Sequence, residues 1–144
     1  MPQVEFHILS EAGDHARLRY ACQLIDQAAE QNQRAHVYVA SDAQAQRMDD
    51  LLWTFRDQAF IPHELLTVSS PSHPRIMALI GNSASAPPDF HSLLINLSDA
   101  LPDTASAFIR ICKVIDADTE HKQQARERYK HYRDQGCQLQ TINQ

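Results

Sequence analysis

The hydrophobic pattern of this chain switches repeatedly between a period of two and a period of three to four. No other feature restricts its possible folds as strongly. Val4 to Leu9 (V-E-F-H-I-L) reads as a strand. Asp14 to Gln31 follows with Leu18, Ala21, Cys22, Ile25, Ala28 and Ala29 on one stripe, the mark of an amphipathic helix. Ala35 to Ala40 (A-H-V-Y-V-A) reads as a second strand. Ser41, with Gln44 three residues on, then opens a helix with a capping-box signature. The core stripe of that helix is Ala45, Met48, Leu51, Leu52 and Phe55.

Beyond Phe55 the pattern is looser. Ile76 to Ile80, Leu93 to Leu97 and a segment within Phe108 to Ile115 are expected strands, separated by a Ser/Pro stretch (Ser69 to Pro74) and a loop at Gly81 to Pro88. A helix is predicted from about Asp118 to Gln135, stopped by Gly136, with a last strand in Cys137 to Ile142. Strands alternating with helices predict an α/β fold. The expectation is a three-layer α/β/α sandwich around a mostly parallel sheet, one domain over residues 1–144, with no repeat or linker dividing it.

An α/β sheet invites a nucleotide, yet Gly13, Gly81 and Gly136 are isolated. Neither G-x-G-x-x-G nor G-x-x-x-x-G-K-[ST] occurs, so the backbone that usually cradles phosphate is missing. The first strand runs into L-S-E-A-G, which places a carboxylate where phosphate needs bare amides. Gly81-Asn82-Ser83-Ala84-Ser85 falls one glycine short of a nucleophile elbow and reads as a polar loop. The eight histidines show no H-E-x-x-H or paired metal spacing; His7 and His36 lie inside expected strands, where packing explains them. The expectation is no catalytic residue, no metal and no cofactor. A nucleotide-binding or hydrolytic α/β enzyme stands as the alternative.

The formal net charge of −5 argues against duplex DNA held by overall charge. Cys22, Cys112 and Cys137 are widely spaced and lack a C-x-x-C, as suits reduced thiols in the cytoplasm. The start M-P-Q-V-E-F-H shows no basic and apolar leader, and apolar runs fall far short of the ~20 residues that cross a bilayer.

Two features are left without a structural explanation. Trp53 sits off the core stripe of the second helix, and Phe60, Ile61 and Pro62 follow shortly after. Together they could form an apolar patch for a lasting partner. The second feature is Lys122 to Arg133 (K-Q-Q-A-R-E-R-Y-K-H-Y-R). At 100° per residue, Lys122, Arg126, Lys130 and Arg133 share one arc, beside a stripe of Ala125, Tyr129 and Tyr132. Guanidinium groups beside an aromatic wall suit a peptide that ends in a carboxylate and an apolar side chain. A direct grip on single-stranded nucleic acid through Tyr129 is a third reading, disfavoured by the acidic net charge.

Three segments in this order, R-M-D-D-L-L-W (Arg47 to Trp53), F-I-P-H (Phe60 to His63) and A-R-E-R-Y-K-H-Y-R (Ala125 to Arg133), resemble the family of the chi subunit of bacterial DNA polymerase III. The resemblance implies a non-catalytic accessory subunit of the replicative holoenzyme, whose polymerase activity would come only by association. In that family chi joins the clamp loader through the psi subunit and grips the acidic C-terminal tail of single-stranded DNA-binding protein, SSB. On matching positions, the tail-binding role falls to Lys122, Arg126 and Tyr129, with Ile115, where valine is usual, lining the apolar part. Trp53, Phe60 and Pro62 fall on the surface associated with psi and with a repair helicase that competes for it.

Overall fold

The computed structural model describes residues 2–55, 61–102 and 104–144. Among these residues the chain forms seven strands and three α-helices. They are β1 (Gln3–Ile8), α1 (Asp14–Glu30), β2 (Ala35–Tyr38), α2 (Asp42–Thr54), β3 (His63–Leu65), β4 (Ala78–Ile80), β5 (Leu93–Asn96), β6 (Arg110–Ile115), α3 (Thr119–Asp134) and β7 (Gln138–Asn143). The strands form one sheet in the order β3-β4-β2-β5-β6-β1-β7, and every pairing is parallel. Expected strand and helix positions agree to within a few residues. The exception is β3, a three-residue edge strand after Pro62, too short to carry a period.

Helices cover both faces, as a parallel sheet requires. On one face, Leu18, Cys22 and Ile25 of α1 and Ala45, Met48 and Leu52 of α2 pack on Val37, Ile80, Ile95 and Val114. On the other, Ala125 and Tyr132 of α3 pack on Val4, Phe6, Ile111 and Ile115. Side chains alternate between the two cores along each strand, which is why β5 (Leu93, Leu94, Ile95) is apolar without interruption and wholly buried.

The helix ends follow their sequences. Ser41 Oγ accepts from Gln44 N at 3.1 Å, while Gln44 Oε1 reaches back to Ala40 N, one residue short of the usual capping-box partner. Asp118 accepts from the amides of Glu120 and His121 to cap α3. At the far end Gly136 turns with φ +82°, Cys137 N donates to Tyr132 O, and Gly136 N donates to Arg133 O. That closing loop returns the chain directly into β7, beside β1.

Candidate functional site: a cationic hollow at the sheet edge

Helix α3 crosses the outer part of the sheet, over β6, β1 and the edge strand β7, and buries only Ala125 and Tyr132. Its charged arc therefore overhangs the edge. Between this overhang and the strands lies an open hollow of about 520 Å³. Phe6 and Ile8 of β1 with Thr141 and Asn143 of β7 form the floor; they share a face because the two strands run in register, Phe6 opposite Thr141 and Ile8 opposite Asn143. Lys122, Arg126, Tyr129, Lys130 and Arg133 form the wall.

The Tyr129 ring lies 5.5 Å from the Phe6 ring at a 58° tilt, and Tyr132 holds Phe6 edge-on at 6.2 Å. These contacts give the hollow a rigid apolar seam. Among the described residues, Lys122, Arg126 and Lys130 make no ion pair, and Arg133 meets only the exposed Asp134 at 3.7 Å. Arg126, Lys130 and Arg133 are exposed, while Lys122 and Tyr129 are half-buried. The cations on the wall are thus available to an incoming anion.

Of the residues singled out from the sequence, Lys122, Arg126 and Tyr129 come together here. Ile115 does not. It ends β6, is buried in the core beneath Ala125, and borders a different cleft on the opposite flank of α3. Lys130 and Arg133, on the same arc of the wheel, complete the wall. The floor residues carried no sequence signal as site residues, because their meeting with α3 depends on strand order.

At the other end of the molecule, Trp53 is 56% exposed near the end of α2. Its ring lies 4.9 Å from that of His63, which is buried and held by Ile61 O at 2.7 Å and Asp49 O at 3.2 Å. Phe60 lies outside the described residues. Pro62 is half-buried, and its carbonyl accepts from Met77 N. Ile61 differs from expectation: it is buried in the core with Met48 and Leu52, so it is not part of a surface patch.

In an open α/β sheet a ligand favours the crevice where neighbouring strands send their connections in opposite directions. Here that point lies beyond the carboxyl ends of β1 and β6, whose helices α1 and α3 cover opposite faces. The chain's own side chains fill it. Asp116 Oδ2 accepts from Gly13 N at 2.8 Å, at the start of α1, and its other oxygen bonds His121 at 2.6 Å. Arg17 spans the strand ends, donating to Leu97 O at 2.6 Å and Val114 O at 3.2 Å. A carboxylate thus occupies the helix N-terminus that a phosphate would need.

A second polar cluster lies buried under α1. Glu5, His7 and Cys112 place one potential metal-ligand atom each within 4.8 Å of the others. The carboxylate of Glu5 is already taken. Arg110 donates to both its oxygens at 2.6 and 2.8 Å, and His7 Nε2 stands 2.8 Å from Oε1 while His7 Nδ1 meets Tyr20 OH at 2.5 Å. Burial alone would raise the Glu5 pKa, but hydrogen bonds from His7 and Arg110 outweigh it and hold the group down at about 2. Burial pushes the Cys112 thiol well above its ordinary range. A guanidinium on the carboxylate and a neutral thiol describe a satisfied internal network, a poor fit to a metal.

Residues 1–140 match the family model described as DNA polymerase III chi subunit, HolC. The chain is 33% identical to DNA polymerase III subunit chi of Pseudomonas aeruginosa over 141 residues, 97% of this chain and 95% of that one. It is 32% identical to that of Haemophilus influenzae, covering 96% and 95%, and 30% identical to that of Escherichia coli, covering 83% and 80%. A crystal structure of T4 UvsW superposes with a TM-score of 0.68 at 10% identity, over 98% of this chain and 41% of that one, a likeness of fold alone. On the full-length family match and the identities of its relatives, the chain belongs to the DNA polymerase III chi subunit family.

Proposed function

We propose that this subunit is a non-catalytic adaptor. It grips the acidic, Phe-ended C-terminal tail of SSB in the hollow under α3 and joins the clamp loader through psi on the Trp53 surface. The observation that carries the reading is the hollow itself. Lys122, Arg126 and Lys130, which make no ion pair among the described residues, line an apolar seam of Phe6 and Tyr129, open at a sheet edge where a chain end can enter. Arg126 and Lys122 would hold the terminal carboxylate, and the Tyr129–Phe6 seam would bury the last aromatic ring. Lys130 and Arg133 would meet acidic residues further up the tail. Each charge-assisted bond is worth roughly 1.5–3 kcal/mol, which gives micromolar, salt-sensitive binding.

Titration of the purified protein with a short acidic peptide ending in Pro-Phe tests this. Arg126→Ala should weaken binding at least roughly tenfold with an unchanged thermal midpoint. Equal affinity in the variant would remove the hollow as the tail site. The enzymatic alternative loses support from the filled crevice at the strand ends, where Asp116 and Arg17 stand in a ligand's place.

A further inference from the structure

The two edges of the sheet are finished differently. At one, β3 is three residues long, and its Glu64 carboxylate accepts from Ser72 N and Ser72 Oγ, which ties the following loop back to the strand. At the other, β7 runs for six residues, Q-L-Q-T-I-N, with neither a charge nor a proline, the usual guards of an open edge. Gln144 N donates to Ile8 O at 2.9 Å, and this sets the phase of the strand. Gln140 and Ile142 turn their backbone groups to β1, so Leu139, Thr141 and Asn143 turn theirs outward. Among the described residues these outward amides and carbonyls have no hydrogen-bond partner. The side chains of Thr141 and Asn143 line the hollow under α3. We propose that an acidic peptide adds to this edge as an eighth strand, parallel to β7 and beside the cationic arc of α3. The inference rests on the tail-binding reading of the hollow and says how the tail lies in it.

The direction follows from the helix. α3 returns from the end of β6 to the start of β7 and so runs antiparallel to both. Arg133 therefore stands towards the beginning of β7 and Lys122 towards its end. A chain whose carboxylate is held by Lys122 and Arg126 comes in past Arg133 and Lys130, in the direction of β7. The spacing agrees. Lys122, Arg126 and Lys130 follow one another at every fourth residue, about 6 Å of helix. Alternate side chains of a strand lie about 6.6 Å apart, so every second residue of the added strand can face one cation. The same cations select the occupant. Isologous pairing with β7 of a second copy would set two such arcs against each other on one face of the joined sheet, like charge against like. An acidic strand meets opposite charge along its length while its backbone satisfies the open edge.

The test is amide hydrogen exchange, read residue by residue by NMR on the full chain, with and without a saturating acidic peptide ending in Pro-Phe. The amides of Leu139, Thr141 and Asn143 should slow at least roughly tenfold, while those of Gln140 and Ile142, already bonded to β1, change by less than about twofold. A paramagnetic label on the amino end of the peptide should broaden Leu139 more than Asn143. A peptide that binds but slows both sets alike, or neither, would overturn the added strand and leave the hollow as the tail site. Broadening strongest at Asn143 would overturn the parallel direction. No binding in a titration would overturn the tail reading and the added strand together. Slow exchange at Leu139, Thr141 and Asn143 without peptide, growing with protein concentration, would assign the edge to a second copy of the chain and overturn the proposal as well.

Discussion

Tyr129 and Phe6 stand 123 positions apart in sequence, yet their rings meet with centroids 5.5 Å apart and so tie the wall of the hollow under α3 to its floor. Tyr129→Ala should therefore weaken the acidic tail peptide roughly ten- to hundredfold, by loss of the apolar seam rather than of charge. Tyr129→Phe, which keeps the ring, should bind within a few-fold of wild type. Calorimetric titration of both variants distinguishes a ring contact from a need for the hydroxyl.

The wall should also respond to salt. The exposed Arg126, Lys130 and Arg133 act over distances that a Debye length of about 10 Å at 0.1 M salt begins to screen. Affinity for the tail peptide should fall steadily as salt rises, and Lys130→Ala with Arg133→Ala should flatten that dependence. A salt profile in the double variant as steep as in the wild type would mean these two cations do not meet the peptide.

Near the C-terminal end of α2, Trp53→Ala removes a side chain that is 56% exposed, so it should cost less than about 1 kcal/mol of stability. The variant should lose affinity for psi in a pull-down while holding the tail peptide unchanged. Loss of both partners in a folded variant would mean that the two surfaces are not separate.

Glu5 anchors the buried network beneath α1, and its lowered pKa sets an acid limit on stability. Because the folded value, about 2, lies below the unfolded value near 4.5, the group stabilises the fold above pH 4.5, and that contribution is lost as pH falls from 4.5 towards 2. Glu5→Gln should cost about 2–4 kcal/mol at pH 7 by leaving Arg110 and His7 without their carboxylate, and should flatten the stability profile across that acid window. Denaturant midpoints of both proteins between pH 2.5 and 7 measure it.

Lys113 works in the opposite pH range. Its folded pKa, about 8, lies below the unfolded value of 10.5, so between those values the unfolded chain binds the extra proton and stability rises with pH. Lys113→Met should abolish that rise. Urea midpoints at pH 7.5, 9 and 10 for the two proteins, compared at equal salt, give the result.

The local chemistry of this chain was readable without coordinates. Strand and helix periods placed the main elements, Ser41 and Asp118 marked two helix starts, and Gly136 marked a stop. A wheel alone gathered Lys122, Arg126, Lys130, Arg133 and Tyr129 on one side of α3, because a helix face is set by spacing within a dozen residues. Strand order was beyond that reach. It is set by which hydrophobic faces pair across more than a hundred residues, and it alone brings Phe6, Ile8, Thr141 and Asn143 under α3 to turn a charged arc into a hollow. The same long-range pairing separates Ile115 from the hollow. It sits at the end of β6 beneath Ala125 and borders the cleft on the other flank of the helix. Periodicity specified what α3 presents; the register of β1 with β7 specified what it faces.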